Sequence, residues 1–272
     1  MRLREITERL ERLFPRDAAC DWDNPGLLVG HLDAEVHSIY VALDATEEVI
    51  EEAVSRGCEL IVTHHPVIFR GVRELSDASP LGRKLLRLAE SRTAVFSMHT
   101  NYDASPSGMG QLVSRMLGLR MLAPLEEIPF REQRRETEES AEGGERYGIG
   151  FLAELPDIVS PESFSLLVKR VFRLPAVELY DAGRPVKRIA CCPGSGRGQL
   201  ANVLRSGAEL FLSGDLGHHD GLDFVEAGIS LVNAGHYGLE HPFSEELAGL
   251  LSAEYPELSV TAAPIRFPAR FL

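Results

Sequence analysis

What most constrains the fold of this chain is an alternation of short apolar runs with amphipathic stretches of helical period. Residues 37–43, 59–63 and 93–98 read as strands, and 187–192, 209–213, 230–233 and 258–262 resume the rhythm later. Between them, 47–56, 81–91, 109–117, 161–172, 199–206, 218–227 and 239–253 read as helices. Ile6, Leu10, Leu13 and Phe14 share one face of an opening helix that Pro15 stops. Short strands that are apolar on both faces need helices on both sides, which favours parallel pairing. The expected fold is therefore α/β, with two similar α/β halves, mixed and mostly parallel sheets flanked by helices, and a ligand site in the cleft between them. Residues 1–125 form the first half, 126–185 a charged loop and small α/β connector, and 186–272 the second half. Within the connector, 126–147 is almost devoid of apolar residues and reads as a loop, and 148–154 and 176–180 read as strands.

Composition narrows the function. Across 272 residues, 41 acidic side chains against 28 basic ones give a formal charge of −13, which repels a nucleic-acid backbone. No apolar run approaches the roughly 20 residues of a membrane span, and the charged amphipathic start is unlike a secretory signal, so the expected location is the cytoplasm. Cys20, Cys58, Cys191 and Cys192 lack a C-x-x-C spacing and read as reduced, buried small hydrophobes.

Chemistry concentrates where strands end. Residues 61–63 run into His64-His65-Pro66, 95–98 into His99-Thr100-Asn101-Tyr102-Asp103, and 231–233 into a segment carrying His236 and Glu240. Another strand leads to Asp215, His218 and His219. In open α/β sheets the carboxyl ends of strands converge on one crevice, where ligands bind. Imidazole nitrogens mixed with carboxylate oxygens suit Zn²⁺, Fe²⁺ or Mn²⁺ better than Ca²⁺ or Mg²⁺. Adjacent histidines diverge and can serve separate ions, so His64 and His65 suggest two metals, bridged by Asp103 or Glu240. His236 and Glu240, four apart, share one helical face. His31, His37 and His241 read as ordinary loop histidines. The run Cys192-Pro193-Gly194-Ser195-Gly196-Arg197-Gly198 reads as a tight strand-to-helix turn rather than a phosphate loop. Trp22, in Asp21-Trp22-Asp23-Asn24-Pro25-Gly26, is either a structural plug or a substrate wall.

These motifs resemble the Nif-three-like family, often called GTP cyclohydrolase type 2 homologues. The resemblance rests on Trp22-Asp23-Asn24 with Gly26-Leu27, Thr63-His64-His65-Pro66, and His99-Thr100-Asn101 with Asp103. It continues in Gly194-Ser195-Gly196, Ser213-Gly214-Asp215, and Gly235-His236 with Glu240. It spans nearly the whole chain apart from residues 131–146. It implies two similar α/β halves, a ring-shaped homohexamer, and two divalent transition-metal ions held by His64, His65, Asp103, His236 and Glu240. Leu239 departs from the hydroxyl residue usual in the family, and Ser213 from the usual threonine.

Three functions remain open. One is a dinuclear metal-dependent hydrolase, with His99, His218 or His219 shuttling a proton and a nucleotide or related phosphorylated heterocycle as substrate. Another is a metal-handling protein that stores, senses or delivers metal without turnover. The third is a partner-binding scaffold with a structural metal.

Overall fold

The computed structural model describes residues 1–128 and 146–272, so most of the charged segment of the connector lies outside the described residues. Along the chain run α1 (Leu3–Leu13), β1 (Gly26–Val29), β2 (Ser38–Ala42), α2 (Glu47–Ser55), β3 (Leu60–Thr63), α3 (Pro80–Ser91), β4 (Ala94–Ser97), α4 (Thr100–Ala104), α5 (Met109–Met116), β5 (Arg120–Ala123) and β6 (Glu126–Glu127). There follow β7 (Gly148–Ile149), β8 (Phe151–Val159), α6 (Pro161–Val171), β9 (Glu178–Tyr180), β10 (Val186–Ser195), α7 (Leu200–Ser206), β11 (Leu210–Gly214), α8 (His218–Glu226), β12 (Ser230–Asn233), α9 (His236–Glu240), α10 (Pro242–Glu254) and β13 (Ser259–Ala262). The fold is α/β, with mixed, largely parallel sheets flanked by helices. Among the described residues no helix is long and apolar enough to cross a membrane.

One compact unit comprises residues 1–102 and 243–265. Its five-stranded sheet has the order β1-β4-β3-β2-β13, with β4, β3, β2 and β13 parallel and β1 antiparallel at the edge. β3 and β4 are buried at every position, as strands covered on both faces must be. Tyr40, Ile61 and Val95 of the sheet pack with Ile50 and Ala53 of α2 and Leu85 and Leu88 of α3. The helices start where local chemistry allows. Thr46 accepts from the Val49 N–H, and Ser79 accepts from the Gly82 N–H with Pro80 in the first turn.

The other unit comprises residues 103–242 and 266–272. Its six-stranded sheet has the order β5-β8-β10-β11-β12-β9, in which β10, β11 and β12 are parallel and the other pairings antiparallel. Ala190, Phe211 and Leu231 of the sheet pack with Val203 of α7 and Phe224 of α8, the rings of Phe211 and Phe224 stacking at 5.1 Å.

Several elements depart from the sequence expectation. The run from Cys192 is not simply a turn, because β10 continues through Pro193 and Gly194 to Ser195, with a register slip against β11 between Cys192 and Ser195. The helix expected over 239–253 begins earlier and is divided into α9 and α10 at His241-Pro242, where proline supplies no N–H to continue the ladder. The loop expected over 126–147 begins and ends in short strands, β6 pairing with β7. β1, α4 and β5 carry too little hydrophobic periodicity to be read from sequence. β13 pairs in parallel with β2, with Ser259 opposite Ser38 and Ala262 opposite Val41.

Candidate metal centre

In the first unit the donors sit at the carboxyl ends of β3 and β4. Thr63 closes β3 by donating its hydroxyl to the His65 carbonyl at 2.9 Å, and Ser97 of β4 donates to Thr63 Oγ1 at 2.8 Å. The backbone of His65 stays in strand-like pairing, its N–H reaching Leu43 O at 3.0 Å. His64 is fully buried against Phe243 and Tyr102, whereas His65 is half-buried. Their rings are tilted by 52° but remain 4.9 Å apart. His99 follows β4, its N–H donating to Asn101 Oδ1 at 2.9 Å, while Asn101 Nδ2 anchors on Phe14 O at 2.8 Å. One ring nitrogen each from His64, His65 and His99 lies within 4.8 Å of the others, close enough for a shared cation.

In the second unit the slip in β10 makes room for the donors. Gly194 has φ +72°, and a Cβ there would overlap Glu240 Oε1 and approach His236 Nε2 at 3.4 Å. Gly214, at the end of β11, is equally confined, since a Cβ would meet the His236 backbone N at 2.5 Å. α9 then presents His236 and Glu240 one turn apart, with Nε2 3.0 Å from Oε2. Asp103, on α4, brings a carboxylate oxygen within 4.8 Å of one on Glu240, which is only 3% exposed. Two carboxylates this close in a buried setting repel each other unless a cation lies beside them.

The histidine tautomers are set by their neighbours. His64 Nδ1 donates to the Met98 carbonyl, His65 Nδ1 to Asp44, His99 Nδ1 to Asp23 and His236 Nδ1 to Asp215, each at 2.8 Å. A carbonyl or ionised carboxylate can only accept, so Nδ1 carries the hydrogen and Nε2 the lone pair in each neutral ring. Imidazole ligands to metals are usually held in this way, the second nitrogen donating to a carboxylate or carbonyl. In His236 the lone pair then faces the Glu240 carboxylate at 3.0 Å, an arrangement that needs a proton or a metal ion to satisfy both. The donor set thus fits a divalent transition metal.

Asp23 is more than an anchor for His99. Burial pushes its carboxyl up, but the hydrogen bond and charge of His99 and two hydrogen bonds from Thr100 outweigh that and leave its pKa at about 2. Cys192 lies under the second donor set. Burial, with the negative charges of Asp103, Glu240 and Glu126, pushes its thiol far up. Ser213 donates to the Cys192 carbonyl at 2.6 Å, a structural bond that ties β11 to β10. Leu239 is fully buried.

The sequence-expected residues therefore fall into groups. His64 and His65 come together with His99, and Asp103 and His236 each come together with Glu240. His218 and His219 are exposed in the first turn of α8, their rings 5.4 Å apart, and belong to no donor cluster among the described residues. His241 is buried, with Nε2 donating to Phe172 O at 3.0 Å. Sequence reasoning gave no role to Asp44, Asp215 and Gly194. Asp215 follows β11 directly and Asp44 lies two residues beyond β2, the same strand-end signal that singled out the histidines.

Fold and donor sets define an α/β protein with clustered imidazoles and carboxylates able to hold a metal ion. The model of the Duf34/NIF3 (NGG1p interacting factor 3) family matches residues 1–268, and the chain belongs to that family. It is 32% identical over 249 residues to a Campylobacter jejuni protein named GTP cyclohydrolase 1 type 2 homolog, covering 91% of each chain. A Streptococcus pneumoniae protein of the same name is 31% identical over 256 residues, covering 91% of this chain and 89% of the relative. Among solved structures, the Staphylococcus aureus hypothetical protein SA1388 superposes with a TM-score of 0.89 at 29% identity, covering 100% of this chain and 99% of that one. Reduced HcgD from Methanocaldococcus jannaschii gives a TM-score of 0.79 at 27% identity, covering 96% of both chains.

Proposed function

We propose that this chain is a dinuclear metal-dependent hydrolase in which His64, His65, Asp103, His236 and Glu240 hold two divalent transition-metal ions, Zn²⁺, Fe²⁺ or Mn²⁺. The observation that carries the reading is that the three ligand histidines, His64, His65 and His236, each donate Nδ1–H to an acceptor, leaving Nε2 as the ligating atom. Two such ions supply a water nucleophile at neutral pH and polarise the group it attacks. The chain's own residues do the rest. Asp23 fixes the orientation of the His99 ring through the Nδ1 hydrogen bond, and His99 is the group that takes up and returns a proton. The exposed His218 and His219 act on the substrate side. The name carried by the curated relatives favours a nucleotide or related heterocycle as substrate. The working form in this proposal is a cytoplasmic homohexamer, to be checked by sedimentation and cell fractionation.

Elemental analysis of purified parent, His65→Ala and Glu240→Ala protein tests the site. Two ions per chain in the parent, with each variant losing at least one while its circular dichroism is unchanged, is the expected result. Equal metal content in all three overturns it. Turnover is tested separately on a panel of nucleotides, beside transfer of metal to an apo-protein acceptor. Hydrolysis with retained metal supports the proposal, whereas absence of turnover with ready transfer replaces it by metal handling.

A further inference from the structure

The large aromatic side chains of this protein are mostly hidden: Phe14, Phe96, Phe151, Phe164, Phe172, Phe211 and Phe243 are all nearly or fully buried. Trp22 and Phe69 are not, with 63% and 46% of their surface open. Both converge on one imidazole. The Trp22 ring lies 5.7 Å from that of His99 at 73°, and the Phe69 ring 5.4 Å away at 86°. Each therefore stands nearly upright against His99, in the donor cluster of His64 and His65.

These exposed rings sit on pinned backbone. Next to Trp22, Cys20 N donates to Thr100 Oγ1 at 2.9 Å, and Asp23 accepts from His99 and Thr100. Asn24 Nδ2 donates to Ile68 O at 2.7 Å, tying the Trp22 loop to the residue before Phe69. A plug would be buried by its surroundings, and Trp22 is not. Exposed apolar surface held in a fixed place beside a reactive group is what a preorganised binding site presents. Beyond Phe69 the same loop exposes Arg70 and Arg73, for which no hydrogen bond or ion pair is found among the described residues. In a chain of net charge −13, exposed guanidinium groups on the same loop as Phe69 are a local means of accepting phosphate.

We infer that Trp22 and Phe69 form the platform on which the planar base of a nucleotide stacks beside His99, with Arg70 and Arg73 receiving its phosphates. The inference deepens the hydrolase reading and rests on it for calling that nucleotide a substrate. Binding, however, can be measured without turnover.

Trp22 is the sole tryptophan of the chain, so its emission reports on this platform directly. The purified protein is titrated with GTP, guanosine, ribose phosphate and inorganic phosphate. GTP is expected to quench Trp22 saturably, guanosine more weakly, and the two probes without a base not at all. Phe69→Ala should weaken GTP binding by roughly ten-fold, within the range of one lost base–aromatic stack, and Phe69→Tyr should restore it. Because Phe69 is half exposed, the melting temperature of Phe69→Ala should stay near that of the parent. In the double variant Arg70→Ala/Arg73→Ala, GTP should bind no more tightly than guanosine. Absence of saturable quenching, equal affinity in Phe69→Ala, or a Trp22 shielded from acrylamide in the unliganded protein each overturns the inference. GTP binding without hydrolysis leaves the platform standing and removes the hydrolase reading. Hydrolysis with parental KM in both Trp22→Ala and Phe69→Ala does the reverse.

Discussion

At the residue scale the site depends on acceptors that touch no metal. Asp215 fixes His236 and Asp44 fixes His65, each through a 2.8 Å bond to Nδ1. Replacing Asp215 by Asn allows the amide to donate to Nδ1, which turns the lone pair the wrong way. Metal affinity in a buffered zinc titration is expected to fall about 10- to 100-fold, with little change in thermal melting. Gly194→Ala acts from the other side, pressing a methyl group onto Glu240 at a left-handed backbone position. Lower metal occupancy than the parent is the expected readout of elemental analysis. Asp23 supplies a pH dependence. Its carboxyl titrates at about 2 in the folded protein against a reference of 3.8, so the folded state favours the ionised form. That stabilisation, about 2 kcal/mol, is complete above roughly pH 4 and is lost as pH falls through about 2. Urea midpoints of metal-free parent and Asp23→Asn should therefore differ above pH 4 and converge toward pH 2.

At the element scale, legibility followed periodicity and capping. α6 was readable from Ser160, Pro161 and its apolar face, and the structure bears this out, with Ser160 Oγ accepting from the Ser163 N–H at 3.1 Å. Ser160→Ala should lower stability by about 1 kcal/mol in chemical denaturation and leave metal content untouched. β1 and β5 were not readable, because four-residue antiparallel strands at or near a sheet edge bury only part of their side chains. The slip in β10 was hidden for another reason. Pro193-Gly194 is ordinary turn chemistry, and only the approach of Glu240 and His236 explains why the strand bulges there. The end of β11 is comparably tight. Gly214→Ala would drive a methyl group into the backbone of α9, and a large fall in melting temperature is expected from differential scanning calorimetry.

At the scale of the whole molecule, β13 has the most consequence. It comes from the end of the chain yet completes the sheet of β1 to β4 by pairing in parallel with β2. Removing residues 259–272 would leave the N–H and C=O groups along one side of β2 unpaired. Loss of solubility on expression, or a lower melting temperature in any soluble fraction, is the expected outcome. Apolar period, capping residues and proline punctuation are local, so the sequence by itself determined the α/β class, most helices and the strand ends at which histidines and acids emerge. It determined the charge balance as well. Strand order, the partner of β13, the acceptor on each Nδ1 and the bulge at Gly194 were decided only by the tertiary structure. Each is a pairing between residues distant in sequence, and local propensity carries no information about which distant partner will satisfy a hydrogen bond or fill a space.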